Sequence, residues 1–180
     1  MKNIQSLIAK SKIIKTAKRY AVQCSRMTNH KYGNKPYSYH LGMVFEVGVK
    51  YAYLLPEEDV EYVLASLWPH DSIEDHRQTY NDVVKACGKL IADIAYALTN
   101  EKGKNRSERA NAKYYKGIRD TIYADYAKMC DRIANAKESA DTKSKMLTTY
   151  KEELADGFLK KIGLKKEFQP MADELINILK

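Results

Sequence analysis

The hexapeptide His70-Asp71-Ser72-Ile73-Glu74-Asp75 sets one imidazole and three carboxylates within less than two helical turns, directly after an apolar run. Two distant residues extend this set: His40, in Pro36-Tyr37-Ser38-Tyr39-His40, and Asp131, in Lys128-Met129-Cys130-Asp131-Arg132-Ile133-Ala134-Asn135. The chain therefore reads H…HD…D. Neutral imidazoles with carboxylates suit Mn²⁺, Fe²⁺, Co²⁺ or Zn²⁺, and the lack of thiolate ligands argues against a closed structural zinc site. An ion with open coordination positions lowers the pKa of bound water from about 16 towards roughly 7 and screens charge on a phosphate oxygen. Hydrolysis of a phosphoester is the natural use of such a site. Glu74 and Asp75 follow Asp71 by three and four residues, so a continuing helical turn puts all three on one side. One carboxylate can then bind metal while another handles protons. Lys128, Asp131 and Asn135, spaced i, i+3 and i+7, align a cation for a phosphate and an amide for a ribose or base edge. Arg132, one position around, is a weaker candidate.

The elements that must position these groups are helical almost throughout. Val60, Val63, Leu64, Leu67 and Trp68 form an apolar stripe, and Pro56 is placed as its helix starter. The HD pair is thus expected at the C-terminal end of a buried helix, with Pro69 as a point where that helix could kink. Leu90, Ile91, Ile94, Ala95 and Leu98 give a second stripe. Ile118, Ile122, Tyr126, Met129 and Ile133 predict one longer helix carrying Asp131. Met146, Tyr150, Leu154 and Phe158 repeat up to Gly163, and Pro170 opens a last helix. No strand alternation of useful length appears, and the clearest turn is Tyr32-Gly33-Asn34-Lys35-Pro36.

The chain has 180 residues, a formal net charge of +8 and 30% charged residues, which is ordinary globular usage for one domain with one core. Residues 1–180 are read as a single all-α domain, with the motifs in about 31–138 and further helices over 140–180. Cys24, Cys87 and Cys130 have no C-x-x-C spacing and are expected as buried core residues without disulfides. No apolar stretch reaches membrane-spanning length, and Met1 to Ile8 has no signal-peptide core, so a soluble cytoplasmic protein is expected. The basic runs, in the first helix, at Lys102 to Arg106 and near Lys160 to Lys166, are read as solvated faces with no accompanying nucleic-acid motif. His30 and His76 are read as core or surface residues, and Tyr114, Tyr115, Tyr123 and Tyr126 as core.

P-Y-x-x-H at Pro36 to His40, H-D-x-x-E-D at His70 to Asp75, a T-x-x-K-x-x-x-R-x-E-R-like stretch from Thr99 through Arg106 and Arg109, and K-x-x-D-R-x-x-N at Lys128 to Asn135 occur in that order. In these motifs the chain resembles the HD-domain phosphohydrolases, most closely the SpoT-type alarmone hydrolases and their small stand-alone relatives. The resemblance implies an HD-type helical bundle in which His40, His70, Asp71 and Asp131 ligate one Mn²⁺-like ion. It implies Glu74 and Asp75 as the catalytic acidic pair, with Lys31, Lys128, Asn135, Arg106 and Arg109 contacting substrate. The implied reaction is removal of the 3′-pyrophosphate from (p)ppGpp. Two departures from the family pattern bear on substrate: Lys31 stands in place of an arginine, and Glu138 replaces a small polar residue near the base. Other readings of the same ligand set are an HD phosphatase acting on a nucleoside monophosphate or NADPH, and a non-catalytic nucleotide-binding protein. Oligomeric state is left open.

Overall fold

Ser11 interrupts the N-terminal apolar run. Its side chain accepts from Ile14 N at 2.9 Å, capping helix α2 (Lys12–Met27) after α1 (Ile4–Lys10). The computed structural model describes residues 4–180; Met1 to Asn3, part of the N-terminal segment read above, lie outside the described residues. Gly33, at a φ of 59°, closes a hairpin in which β1 (Lys31–Tyr32) pairs antiparallel with β2 (Lys35–Pro36). This is the only sheet among the described residues, and everything else is helix and connection: the chain is all-α. Helix α3 (Ser38–Tyr51) follows the hairpin, then a 3₁₀ turn and α4 (Val60–Ser66). Pro56 does not start α4. It sits in a turn whose carbonyl accepts from Asp59 N at 3.0 Å, and the helix begins four residues later.

After α4 come the single-turn α5 (Ser72–Asp75), then α6 (Tyr80–Cys87) behind a Thr79/Asp82 capping box, and α7 (Lys89–Leu98). The second half holds α8 (Arg106–Arg109), α9 (Ala112–Asp120), α10 (Ala124–Asp141), α11 (Met146–Ala155), α12 (Phe158–Lys161) and α13 (Gln169–Ile178), with Pro170 in the first turn of α13. The stripe expected as one helix through Ile118 and Ile133 is two helices. Tyr123 adopts a left-handed φ of 60° between them, and Ile122, expected on the apolar face, is 53% exposed in that break. Leu90 is likewise exposed.

Helix α10 is the centre of the body, packed against α3, α7, α9, α11 and α13. Its buried face includes Met129, Cys130, Ile133 and Ala134, but also Asp131 and Arg132, which need partners to be buried without a large penalty. Tyr126 of α10 donates to Gly48 O of α3 at 2.7 Å. Gly48 also permits α3 and α4 to approach closely, since a Cβ there would lie 2.1 Å from Leu67 Cδ1. Three helices are thereby locked around the residues that carry His40, His70 and Asp131. Cys24 and Cys130 are buried and Cys87 is half-buried, all as free thiols. Tyr114, Tyr123 and Tyr126 are buried and Tyr115 is half-buried. No helix among the described residues is long and apolar enough to cross a membrane.

Candidate metal centre and anion-binding cleft

Each of the three facing groups is delivered by a helix end or a buried helix. His40 lies in the first turn of α3, just after the hairpin, and its ring stacks on Tyr32 with centroids 4.9 Å apart. Helix α4 stops at Ser66; His70 and Asp71 therefore sit in a turn rather than on the helix where sequence spacing placed them, consistent with Pro69, which has no N–H to donate. His70 Nδ1 meets Leu67 O at 2.8 Å, an interaction that requires the proton on Nδ1 and leaves Nε2 facing the cluster. Asp131 comes from the middle of α10.

One ligand atom from each of His40, His70 and Asp131 lies within 4.8 Å of the others, and this buried group could hold a metal ion. Asp71 adjoins it, with Oδ2 at 2.9 Å from His70 Nε2 and 3.4 Å from His40 Nε2. His70 Nε2 is buried and, although 2.9 Å from Asp71 Oδ2, makes no well-directed hydrogen bond, so its burial costs free energy that a further bonding group at the nitrogen would offset. A divalent cation would bond to that nitrogen and matches the N/O donor set.

The carboxylates are held from behind. Asn135 Nδ2 donates to Asp131 Oδ1 at 2.5 Å while its Oδ1 accepts from Tyr32 Oη at 2.7 Å, and Lys128 Nζ lies 3.0 Å from Asp131 Oδ2. Tyr37 Oη donates at 2.6 Å to Asp71 Oδ2 and lies 3.0 Å from Asp75 Oδ2. Burial opposes charge on the two imidazoles, but Asp131 and Asp71 outweigh it. His40 is pushed up to about 9, and His70 is raised as well. Burial likewise opposes charge on Asp71 and Asp131, yet His70 and His40 for the first, and Lys128 and His40 for the second, hold both below the usual carboxylate range. Asp75 shifts the other way, raised by burial and by Asp71 and Glu74. Two neighbouring carboxyls are thus pushed apart in proton affinity.

A cleft of about 180 Å³ opens from this cluster. Glu74 lies on its wall with both oxygens fixed by Asn100, at 3.0 Å from the backbone N and 2.8 Å from Nδ2. Arg106, Arg109, Lys128 and Arg132 also line it. Arg106 and Arg132 converge on Glu153 of α11, Arg132 at 2.5 Å, and the buried Arg132 guanidinium rests over the rings of Phe158 and Tyr150 at 4.2 and 4.6 Å. Arg109 makes no side-chain hydrogen bond or ion pair among the described residues, which leaves its guanidinium open to an anion.

Of the residues proposed from sequence, His40, Asp71, Asp131, Glu74, Asp75, Lys128, Asn135, Arg106 and Arg109 line one cleft, and His70 is buried beside His40 and Asp131. Lys31 is not among the residues that line the cleft; it is exposed on β1, and the next residue, Tyr32, faces the site instead. Glu138 is also outside, accepting from Tyr39 Oη at 2.8 Å and pairing with Lys35 at 3.1 Å. Asn135 and Lys128 reach the cleft but spend contacts on Asp131. His76 is a core group, fully buried and held down to about 4 by that burial, and the half-buried His30 packs beside it. Sequence reasoning missed Tyr37, Tyr32, Tyr150, Glu153 and Phe158. Tyr37 stood inside the P-Y-x-x-H motif; Glu153 lies three residues after Tyr150, the spacing of one helical face, but nothing local marks it as a partner for arginines. In comparisons with known proteins, no family model matches the chain and no curated protein matches it.

Proposed function

We propose that the protein is a metal-dependent phosphohydrolase of the HD class acting on a phosphorylated nucleotide, in its sharpest form a (p)ppGpp 3′-pyrophosphohydrolase. The observation that carries this reading is the buried His40, His70 and Asp131 group beside a cleft walled by arginines, a lysine and four further carboxylates. A divalent ion there, Mn²⁺ foremost, would be held by His40, His70 and Asp131 with Asp71 beside them, and would supply Lewis acidity and a water of lowered pKa. The protein's own groups account for the remaining tasks. Arg109, Arg106 and Lys128 neutralise phosphate oxygens, arginine doing so with a planar fork that suits them. Glu74, fixed by Asn100, orients the attacking water and takes its proton as the O–P bond forms. Asp75, whose carboxyl is raised, gives a proton to the 3′-oxygen as the P–O bond breaks. Both carboxyls then re-equilibrate with solvent.

The size of the cleft bears on the substrate. It is smaller than the roughly 300–1,000 Å³ usual for pockets that enclose a ligand, so a phosphoryl end enters and the rest of the nucleotide stays outside it. The test is release of pyrophosphate and phosphate from guanosine tetraphosphate, NADPH and nucleoside monophosphates, with Mn²⁺ or chelator. Pyrophosphate from the tetraphosphate alone is expected. Phosphate from another member would keep the site and change the substrate, whereas nucleotide binding that persists in chelator without turnover would overturn the enzyme reading.

A further inference from the structure

The first acidic residue of the chain is Glu46, and nine lysines and arginines precede it. From Glu46 onward there are 22 basic and 23 acidic residues, so the whole net charge of +8 originates in the N-terminal quarter. The structure gives part of this excess a shape. Lys12, Lys15, Arg19 and Arg26 are all exposed on α2. At 100° per residue they fall within an arc of about 60°, and at 1.5 Å per residue they span about 21 Å. The opposite face, with Ile14, Ala17, Ala21 and Cys24, is buried in the core and fixes the orientation of the stripe.

None of the four cations forms an ion pair with an acidic side chain among the described residues, and Lys15 donates only to a backbone carbonyl, Ala9 O. Elsewhere on the surface, pairing is common: Lys50 meets Glu174, Lys89 meets Asp93, Lys113 meets Glu101 and Lys116 meets Asp120. Like charges three and four positions apart on a helix repel, so an all-basic stripe is mildly destabilising until a polyanion covers it. Thr16 and Gln23, exposed between the cations, add neutral hydrogen-bonding groups to the same face. A lipid surface would instead call for large apolar side chains on the contact face. Here Met27 stands only at the end of the stripe and Ile13 lies off it, on the flank of α2.

We propose that this face of α2 binds the sugar–phosphate backbone of a nucleic acid, without reading bases. A duplex offers one phosphate charge per about 1.7 Å of axis, ample for four cations over this length. The inference stands apart from the metal centre and departs from the reading of every basic run as a solvated face.

The test is anisotropy of a labelled mixed-sequence duplex with the full chain across a salt series. Four phosphate contacts predict a slope of about −3.6 in log K against log salt, hence about 150-fold weaker binding at 200 mM than at 50 mM. Lys12→Gln, Lys15→Gln, Arg19→Gln and Arg26→Gln together should flatten that slope and abolish retention. A charge-matched control, Lys50→Gln, Lys89→Gln, Lys113→Gln and Lys116→Gln, should keep both. Equal losses in the two variants would reduce the effect to net charge and overturn the proposal, as would retention on anionic-lipid vesicles with none on the duplex. Should the quadruple variant fail to fold, Arg19→Gln and Arg26→Gln singly should each lower the slope by about 0.9, and an unchanged slope would count against the face.

Discussion

Metal loading should release protons from the histidines. His40 is nearly fully buried and, beside Asp71 and Asp131, is pushed up to about 9 in the metal-free protein. At pH 7 its imidazole is therefore mostly protonated, so an incoming ion competes with a proton at a penalty of roughly 3 kcal/mol. Asp71 and Asp131, held below the usual range, are already ionised and release nothing. Apparent Mn²⁺ affinity should rise about tenfold from pH 7 to pH 8 through His40, and the rise steepens where His70, also raised, loses its proton as well. Calorimetric titration in buffers of different ionisation enthalpy reads these protons directly, about one per ion from His40. An affinity flat across that interval, with no buffer dependence, would refute the reasoning. The same shift has a sign for stability without metal: a raised imidazole stabilises the fold below its unfolded pKa of about 6.5, and that contribution is lost as pH rises through about 9. The metal-free protein should accordingly melt lower at pH 9.5 than at pH 6.

Three substitutions test the framework behind the site. Gly48→Ala would set a Cβ 2.1 Å from Leu67 Cδ1, in a fully buried contact, and should cost about 1–3 kcal/mol in thermal melts while loosening His70, whose Nδ1 is anchored on Leu67 O. An unchanged melting temperature would show that Leu67 moves freely. Glu153→Gln strips the counter-charge from Arg132, which is 5% exposed in its side chain. Breaking a buried pair costs about 3–5 kcal/mol, and the stacking of Arg132 on Phe158 and Tyr150 together with partial exposure of Glu153 reduces this to about 2–3, a fall of about 5–10 °C. Because Glu153 is held below its ordinary carboxyl range by Arg106 and Arg132 against the pull of burial, wild type loses this contribution as pH drops below about 4.5. The variant should lack that acid-dependent loss, as melts at pH 3 and pH 6 would reveal. Tyr126→Phe removes the bond to Gly48 O and should cost about 1–2 kcal/mol, read by denaturant unfolding.

What was legible in the sequence followed from period and residue type. Apolar stripes of helical spacing announced an all-α body, and imidazoles with carboxylates in H…HD…D order announced a cluster whose histidines and Asp131 do converge. Boundaries were less legible, because they depend on backbone geometry that tertiary packing decides. Pro56 fits a helix start yet ends up in a turn, and the stripe through Ile122 is cut where Tyr123 takes a left-handed conformation. Lys31 stands where the resembled family has an arginine, whereas the two-residue strand turns its neighbour Tyr32 to the site. Glu138, assigned near the base, is held by Lys35 and Tyr39 away from the cleft. Tyr150, Glu153 and Phe158 sit on helices that looked generic, and only folding brings them over α10 to brace Arg132. Long-range partners of this kind leave no periodic trace.

The central claim is that the buried His40, His70 and Asp131 group is a metal centre that hydrolyses a phosphorylated nucleotide. The most direct measurement is pyrophosphate release from guanosine tetraphosphate by wild type and Asp131→Asn, with bound Mn²⁺ determined on the same samples. The account predicts Mn²⁺-dependent release by wild type, with ion and turnover lost together in the variant. Turnover by the variant at the wild-type rate, or metal-loaded wild type that releases neither pyrophosphate nor phosphate from any nucleotide offered, would contradict it.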